Sequence, residues 1–165
     1  MKYLIIFVLS ITLISCNSKT EAEKIVDLAI EAHGGNNYPN SLIEFDFRNI
    51  HYTIYKSENS FEYIREFEDS TGMVKDVLNN EGFTRTVNSV KIDTLTEERI
   101  GAFSRSVNSV AYFAFLPYGL NDPAVIKKYV GKIELNGESY HLIKVTFQKE
   151  GGGEDFDDQF LYWIG

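Results

Sequence analysis

Cysteine occurs once in these 165 residues, at Cys16, so the chain cannot close a disulfide on itself. Histidine occurs three times, at His33, His51 and His141. No His-x-x-His or His-Glu-x-x-His spacing joins them, and they read as ordinary cap and strand residues, not transition-metal ligands. No Gly-x-Ser-x-Gly elbow is present to raise a serine nucleophile. Gly151-Gly-Gly153 is flanked by acids that repel an anion, and no lysine follows in Walker position, so it is no phosphate cradle. Positive charge is scarce as well: 16 Lys and Arg face 24 Asp and Glu, for a net charge of −8. That balance argues against nucleic acid as a partner. It also argues against electrostatic docking on anionic lipid headgroups, so a lipid anchor is expected to do the holding. Only 3 prolines accompany 12 Phe and 10 Tyr, a composition that favours β-structure.

One long apolar run exists, and it is at the start. Lys2 precedes an almost unbroken apolar stretch from Leu4 to Ile14, followed by Ser15 and Cys16. A charged beginning, an apolar centre and a small residue before a cut make a secretory signal. The run is shorter than the roughly 20 residues that span a bilayer. Residues 1–15 are therefore expected to be removed and 16–20 to form a lipidated cysteine and polar tether. Residues 21–165 remain as a single α+β domain.

Thr20-x-x-Glu23 is a capping box that opens a helix with an apolar stripe at Ile25, Leu28, Ala29 and Ala32. Gly34 and Gly35 close it, and His33 is a cap in its last turn. Ser41 to Tyr55 reads as one long strand whose apolar parity flips after Arg48, which requires a bulge or a change of packing partner. Phe61–Phe67 alternates with acids as a one-sided strand, and weaker strands follow at Met73–Leu78, Phe83–Val87 and Val90–Leu95. From Thr94 to Ala114 the spacing is helical, with Ile100, Phe103, Val107, Val110, Ala111 and Ala114 on one face and Thr94 or Thr96 as its cap. Val125–Leu135 and Ser139–Gln148 flank Asn136-Gly137, the strongest short hairpin signal. Gln159–Ile164 reads as a strand apolar on both faces, which belongs inside a sheet. Since the sequence stops two residues past Trp163, the fold is expected to lack its last strands. The expected whole is a curved, half-barrel-like antiparallel sheet with an N-terminal helix and a second helix packed on it.

Several stretches carry a resemblance. Leu13-Ile14-Ser15-Cys16 resembles a bacterial lipobox. With Ala32-His-Gly-Gly35, Tyr112-Phe-Ala-Phe-Leu-Pro-Tyr-Gly-Leu-Asn-Asp122 and Glu150-Gly-Gly-Gly-Glu-Asp-Phe-Asp-Asp158, the chain resembles uncharacterised lipoproteins of Bacteroidetes-type bacteria. Such proteins run on past the Tyr-Trp-Ile position. The plan is more distantly similar to Lol-type lipoprotein carriers, half-barrels whose concave face binds acyl chains, which by itself sets only an expectation of fold. The resemblance implies lipid attachment, palmitate included, at Cys16, and a place on the outer membrane, facing the periplasm or the surface. Two acyl chains hold a protein stably there, at about 0.8 kcal/mol per buried CH₂.

Two stretches attract a functional reading. Aromatics at Phe45, Phe47, Phe61, Tyr63 and Phe67 on the sheet, with Phe113, Phe115 and Tyr118 after the second helix, form either a core plug or the wall of an apolar ligand cavity. Glu150, Glu154, Asp155, Asp157 and Asp158 crowd five carboxylates into nine residues, a hard-oxygen set that suits Ca²⁺ but lacks EF-hand spacing. The expected role is that of a lipid-anchored, monomeric envelope protein binding a hydrophobic small molecule or acyl chain, without catalysis. The alternatives are a metal-assisted hydrolase using the acidic loop with His141, and a structural or adhesive surface lipoprotein.

Overall fold

The computed structural model describes residues 18–151 and 156–165. The signal segment, Cys16, Glu154 and Asp155 lie outside the described residues. Helix α1 (Glu21–Ala32) begins where the capping box predicts: the Glu23 amide donates to Thr20 Oγ1 at 3.3 Å and the Thr20 amide to Glu23 Oε2 at 2.6 Å. It ends at His33, whose ring Nδ1 donates to the Ala29 carbonyl at 2.8 Å. The buried face differs from the expected stripe. Ala22, Ile25, Val26, Ala29 and Ile30 face the core, whereas Leu28 remains 65 % exposed. The apolar sector of this helix is wider than the surface that covers it.

Six antiparallel strands follow in simple sequence order: β1 (Ser41–Phe47), β2 (Ile50–Lys56), β3 (Phe61–Asp69), β4 (Gly72–Asn79), β5 (Gly82–Val87) and the short β6 (Val90–Lys91). The single strand expected over Ser41–Tyr55 is two. Arg48 and Asn49 both adopt positive φ (53° and 61°), a two-residue reversal that pairs Phe47 with Ile50. A hairpin of this length accounts for the parity flip without a bulge, since Ile43/Ile54 and Phe45/Tyr52 stand opposite each other on one face. Asn88 ties two turns together. Its side chain accepts from the Met73 amide at 3.0 Å and donates to the Thr71 carbonyl, while a Cβ on Gly72 would sit 2.4 Å from it.

Helix α2 (Glu97–Ala114) is capped by Thr96, not Thr94, with the Arg99 amide donating to Thr96 Oγ1 at 3.4 Å. It lies on the six-stranded sheet, where Val107, Ala111 and Phe115 pack with Ile54 and Tyr63. A row of charge runs beneath its N-terminal half. The register places Arg65, Asp76 and Arg85 side by side on β3, β4 and β5. Asp76, fully buried, accepts from Arg65 Nε and Arg85 Nε, each at 2.6 Å. Arg65 also donates to Ser106 on α2 at 2.8 Å, and the Arg85 guanidinium lies 3.7 Å over the Phe103 ring. The sheet thus grips this helix through charge as well as grease.

A 3₁₀ turn (Tyr118–Asn121) leads to a second sheet of three antiparallel strands: β7 (Val125–Leu135), β8 (Glu138–Phe147) and β9 (Phe160–Ile164). Asn136 (φ 54°) and Gly137 (φ 83°) make the expected β7–β8 hairpin. Its inner face carries Val125, Ile143 and Val145 onto Ala22, Ile25, Val26 and Ile30 of α1. The strand β9 is not buried on both faces: Phe160, Tyr162 and Ile164 are half-buried while Leu161 and Trp163 are each 49 % exposed. Its outward residues are apolar without being covered, which alternation alone cannot reveal. The architecture is α+β, with unclosed antiparallel sheets and the helices packed on them.

Candidate functional site

Most of the aromatic set read from the sequence gathers under and beside α2. Tyr63 and Phe115 are buried in the α2 core, with Phe45, Phe61 and Tyr118 packed against it. Phe67 lies under the Arg65 and Arg85 guanidinium groups, at 5.7 and 6.0 Å. Phe45, Phe47 and Phe113 line a cleft of about 490 Å³ between β1 and α2, together with Arg48 and Val110. Elsewhere on this sheet α2 covers the surface, with Val107, Ala111 and Phe115 packed on Ile54 and Tyr63.

A larger apolar cleft lies on the smaller sheet. A cleft of about 600 Å³ runs between α1, the segment after α2, and the β8–β9 ladder. Ile25, Leu28, Ala29 and Ala32 form the helical wall, Leu116, Pro117 and Leu120 the floor, and Tyr162 and Ile164 the strand wall, with Trp163 bordering it. Leu28 and Ala32, on the expected stripe yet outside the core, thus face this space. The segment Leu116–Leu120 is held there by the stack of Tyr118 on Tyr38, centroids 5.0 Å apart, and by Lys127, which donates to the Leu120 carbonyl at 2.7 Å. Burial pulls the Lys127 ammonium below its ordinary range, against the opposing pull of Glu23, Asp27 and Asp122.

Two histidines supply the polar points of this cleft. His33, at the end of α1, spends Nδ1 on the Ala29 carbonyl. His141, paired with Ile164 across the ladder, has a buried Nδ1 with no hydrogen-bond partner among the described residues. Behind the strand wall, Tyr162 and Tyr112 bring their hydroxyls to 3.3 Å, tying β9 to α2. Burial, then this hydrogen bond, raises Tyr112 well above the usual phenol range.

Among the described residues, no group of three or more His, Cys, Asp or Glu stands close enough to hold a metal ion. Glu150, Asp157 and Asp158 of the acidic loop are exposed. His51 pairs with Asp46 at 2.8 Å on the surface, far in sequence from that loop. Sequence reasoning missed the cleft because Leu28 and Ala32 read as core. It missed the charged row although Arg65 and Asp76 occupy the inward parity of adjacent strands, a signal that was available. No curated protein matches this chain, and no solved structure matches it. One family does, over residues 2–165, and the chain belongs to it: the family of unknown function DUF6503.

Proposed function

We propose that the protein is a lipid-anchored component of the cell envelope, tethered through Cys16, that holds one apolar chain in the cleft between α1 and the β8–β9 ladder. The observation that carries this reading is the uncovered apolar strip of α1, with Leu28 65 % exposed along a cleft of about 600 Å³. Such a volume falls within the ~300–1,000 Å³ of small-molecule sites, and apolar walls with a few polar points fit their usual chemistry. The sequence supports the anchor: a signal of secretory length ends at the chain's one cysteine.

Native mass spectrometry of the gently purified protein tests the ligand, with a fluorescent fatty acid as the titrating probe. Wild type is expected to carry or take up one acyl chain. Leu28→Lys, a surface substitution into the cleft wall, should weaken the probe at least tenfold while leaving the circular dichroism spectrum unchanged. Protein that is empty and indifferent to the probe ends the binding reading. Labelled palmitate should enter the wild-type chain and not Cys16→Ser.

A further inference from the structure

The outer face of the three-stranded sheet, opposite α1, is a second apolar surface, and its register can be read row by row. Directly paired residues share a face. Ile126 stands opposite Thr146; Lys128, Lys144 and Leu161 form the next row; Leu142 and Trp163 the one after. Ile126, Leu161 and Trp163 are 46 %, 49 % and 49 % exposed. Two lysines directly opposite each other repel, and neither has an ion-pair partner among the described residues. Folding alone gives no reason for that pairing.

Charge is also segregated. Of the four lysines on β7 and β8, Lys128 and Lys144 lie on this face and Lys127 and Lys132 on the other, whereas the whole chain stands at −8. Among the described residues of the three strands, the lone carboxylate on this outer face is Glu138, at the hairpin end, where it accepts from the Tyr140 hydroxyl at 2.6 Å. The exposed acids Glu150, Asp157 and Asp158 belong to the loop off the opposite, Thr146 end. The centre of the face is therefore apolar and cationic, with the chain's one tryptophan in it.

We infer that this face docks on an anionic phospholipid surface, Lys128 and Lys144 meeting phosphates while Leu161, Trp163 and Ile126 enter the interfacial layer. Tryptophan favours that layer, and lysine stems reach from it to the headgroups. A second copy of the chain is a poor occupant, because face-to-face pairing would bring four ammonium groups together. Net acidity excludes adsorption of the whole surface; it does not exclude one face. Docking would lay the body flat on the bilayer instead of leaving it free on its tether.

The test uses the full chain in vesicles of phosphatidylcholine, with or without phosphatidylglycerol, the acyl chains brominated so that contact quenches Trp163. An acyl chain taken up by the α1 cleft, which Trp163 borders, quenches alike in both vesicle types, so the excess with phosphatidylglycerol reports the face. That excess is expected for the wild type, and it should fall as salt rises. Lys128→Gln/Lys144→Gln should shift the docked-to-undocked ratio roughly 25-fold toward undocked, at the usual strength of a lysine near an anionic surface. Lys128→Arg/Lys144→Arg should dock as wild type does. Equal quenching in both vesicle types that survives the glutamine pair overturns the inference, as does no quenching in either. Concentration-dependent dimerisation lost in Trp163→Ser would also overturn it, assigning the face to a second copy.

Discussion

The two helix-on-sheet regions solve one problem in different ways. In the larger, an 18-residue helix, about 27 Å long, covers a six-stranded sheet and is gripped by a buried charged row as well as by apolar side chains. In the smaller, α1 has 12 residues, about 18 Å, against strands of 11 and 10 residues that reach well beyond 30 Å. Its fully buried cluster is aliphatic, with Tyr129, Phe147, Phe160 and Tyr162 packed around it and no buried ion pair among the described residues. Each helix leaves an apolar cleft at its edge, about 490 Å³ beside the longer and about 600 Å³ beside the shorter. The shorter helix, set against the longer strands, leaves the larger of the two.

Substitution can break that contrast. The largest effect is expected at Asp76: Asp76→Ala would leave two arginines buried without their counter-charge and cost about 3–5 kcal/mol in urea denaturation. The emission of Trp163 reports the smaller region and far-ultraviolet circular dichroism the whole. If the two transitions separate in this variant, the regions unfold independently; if they stay coincident, the Tyr112–Tyr162 contact and the shared packing of Tyr118 couple them. A smaller loss, about 1 kcal/mol, is expected for Ile143→Val in the aliphatic core, with the slope of the transition unchanged.

A third effect is alkaline, and at neutral pH it is the smallest. Burial pushes the Tyr63 phenol from 10.0 up to about 12, with the Asp122 charge adding to it. The folded state keeps a proton that the unfolded chain releases first, so the unfolded chain binds fewer protons and stability falls as pH rises between about 10 and 12. Tyr63→Phe should flatten that decline, measured as urea midpoints across the interval, and change little at neutral pH.

Much of this fold was legible where local chemistry is sharp. Thr20-x-x-Glu23 and Asn136-Gly137 specify their cap and turn almost alone, because each satisfies backbone groups within four residues. The Arg48-Asn49 reversal was hidden, since neither residue is glycine and both nonetheless take a left-handed conformation. The flip of apolar parity at that point was its real signature, and a two-residue turn is its simplest cause. The cleft was harder to foresee: Leu28 and Ala32 keep helical spacing with Ile25 and Ala29, and only the reach of the partner sheet decides which of them is covered. Likewise Leu161 and Trp163 look like core until β9 is seen to be covered on one side.

The hairpin tips differ in a way that matters for anyone labelling the molecule. Around Gly72 the backbone is stitched to Asn88, so lengthening either turn pulls on both hairpins. At Asn136-Gly137 nothing lies within 4 Å of where a side chain on the glycine would begin. A peptide epitope or fluorophore inserted there would project from the far end of β7 and β8, clear of the α1 cleft, and give a handle for following the protein in living cells.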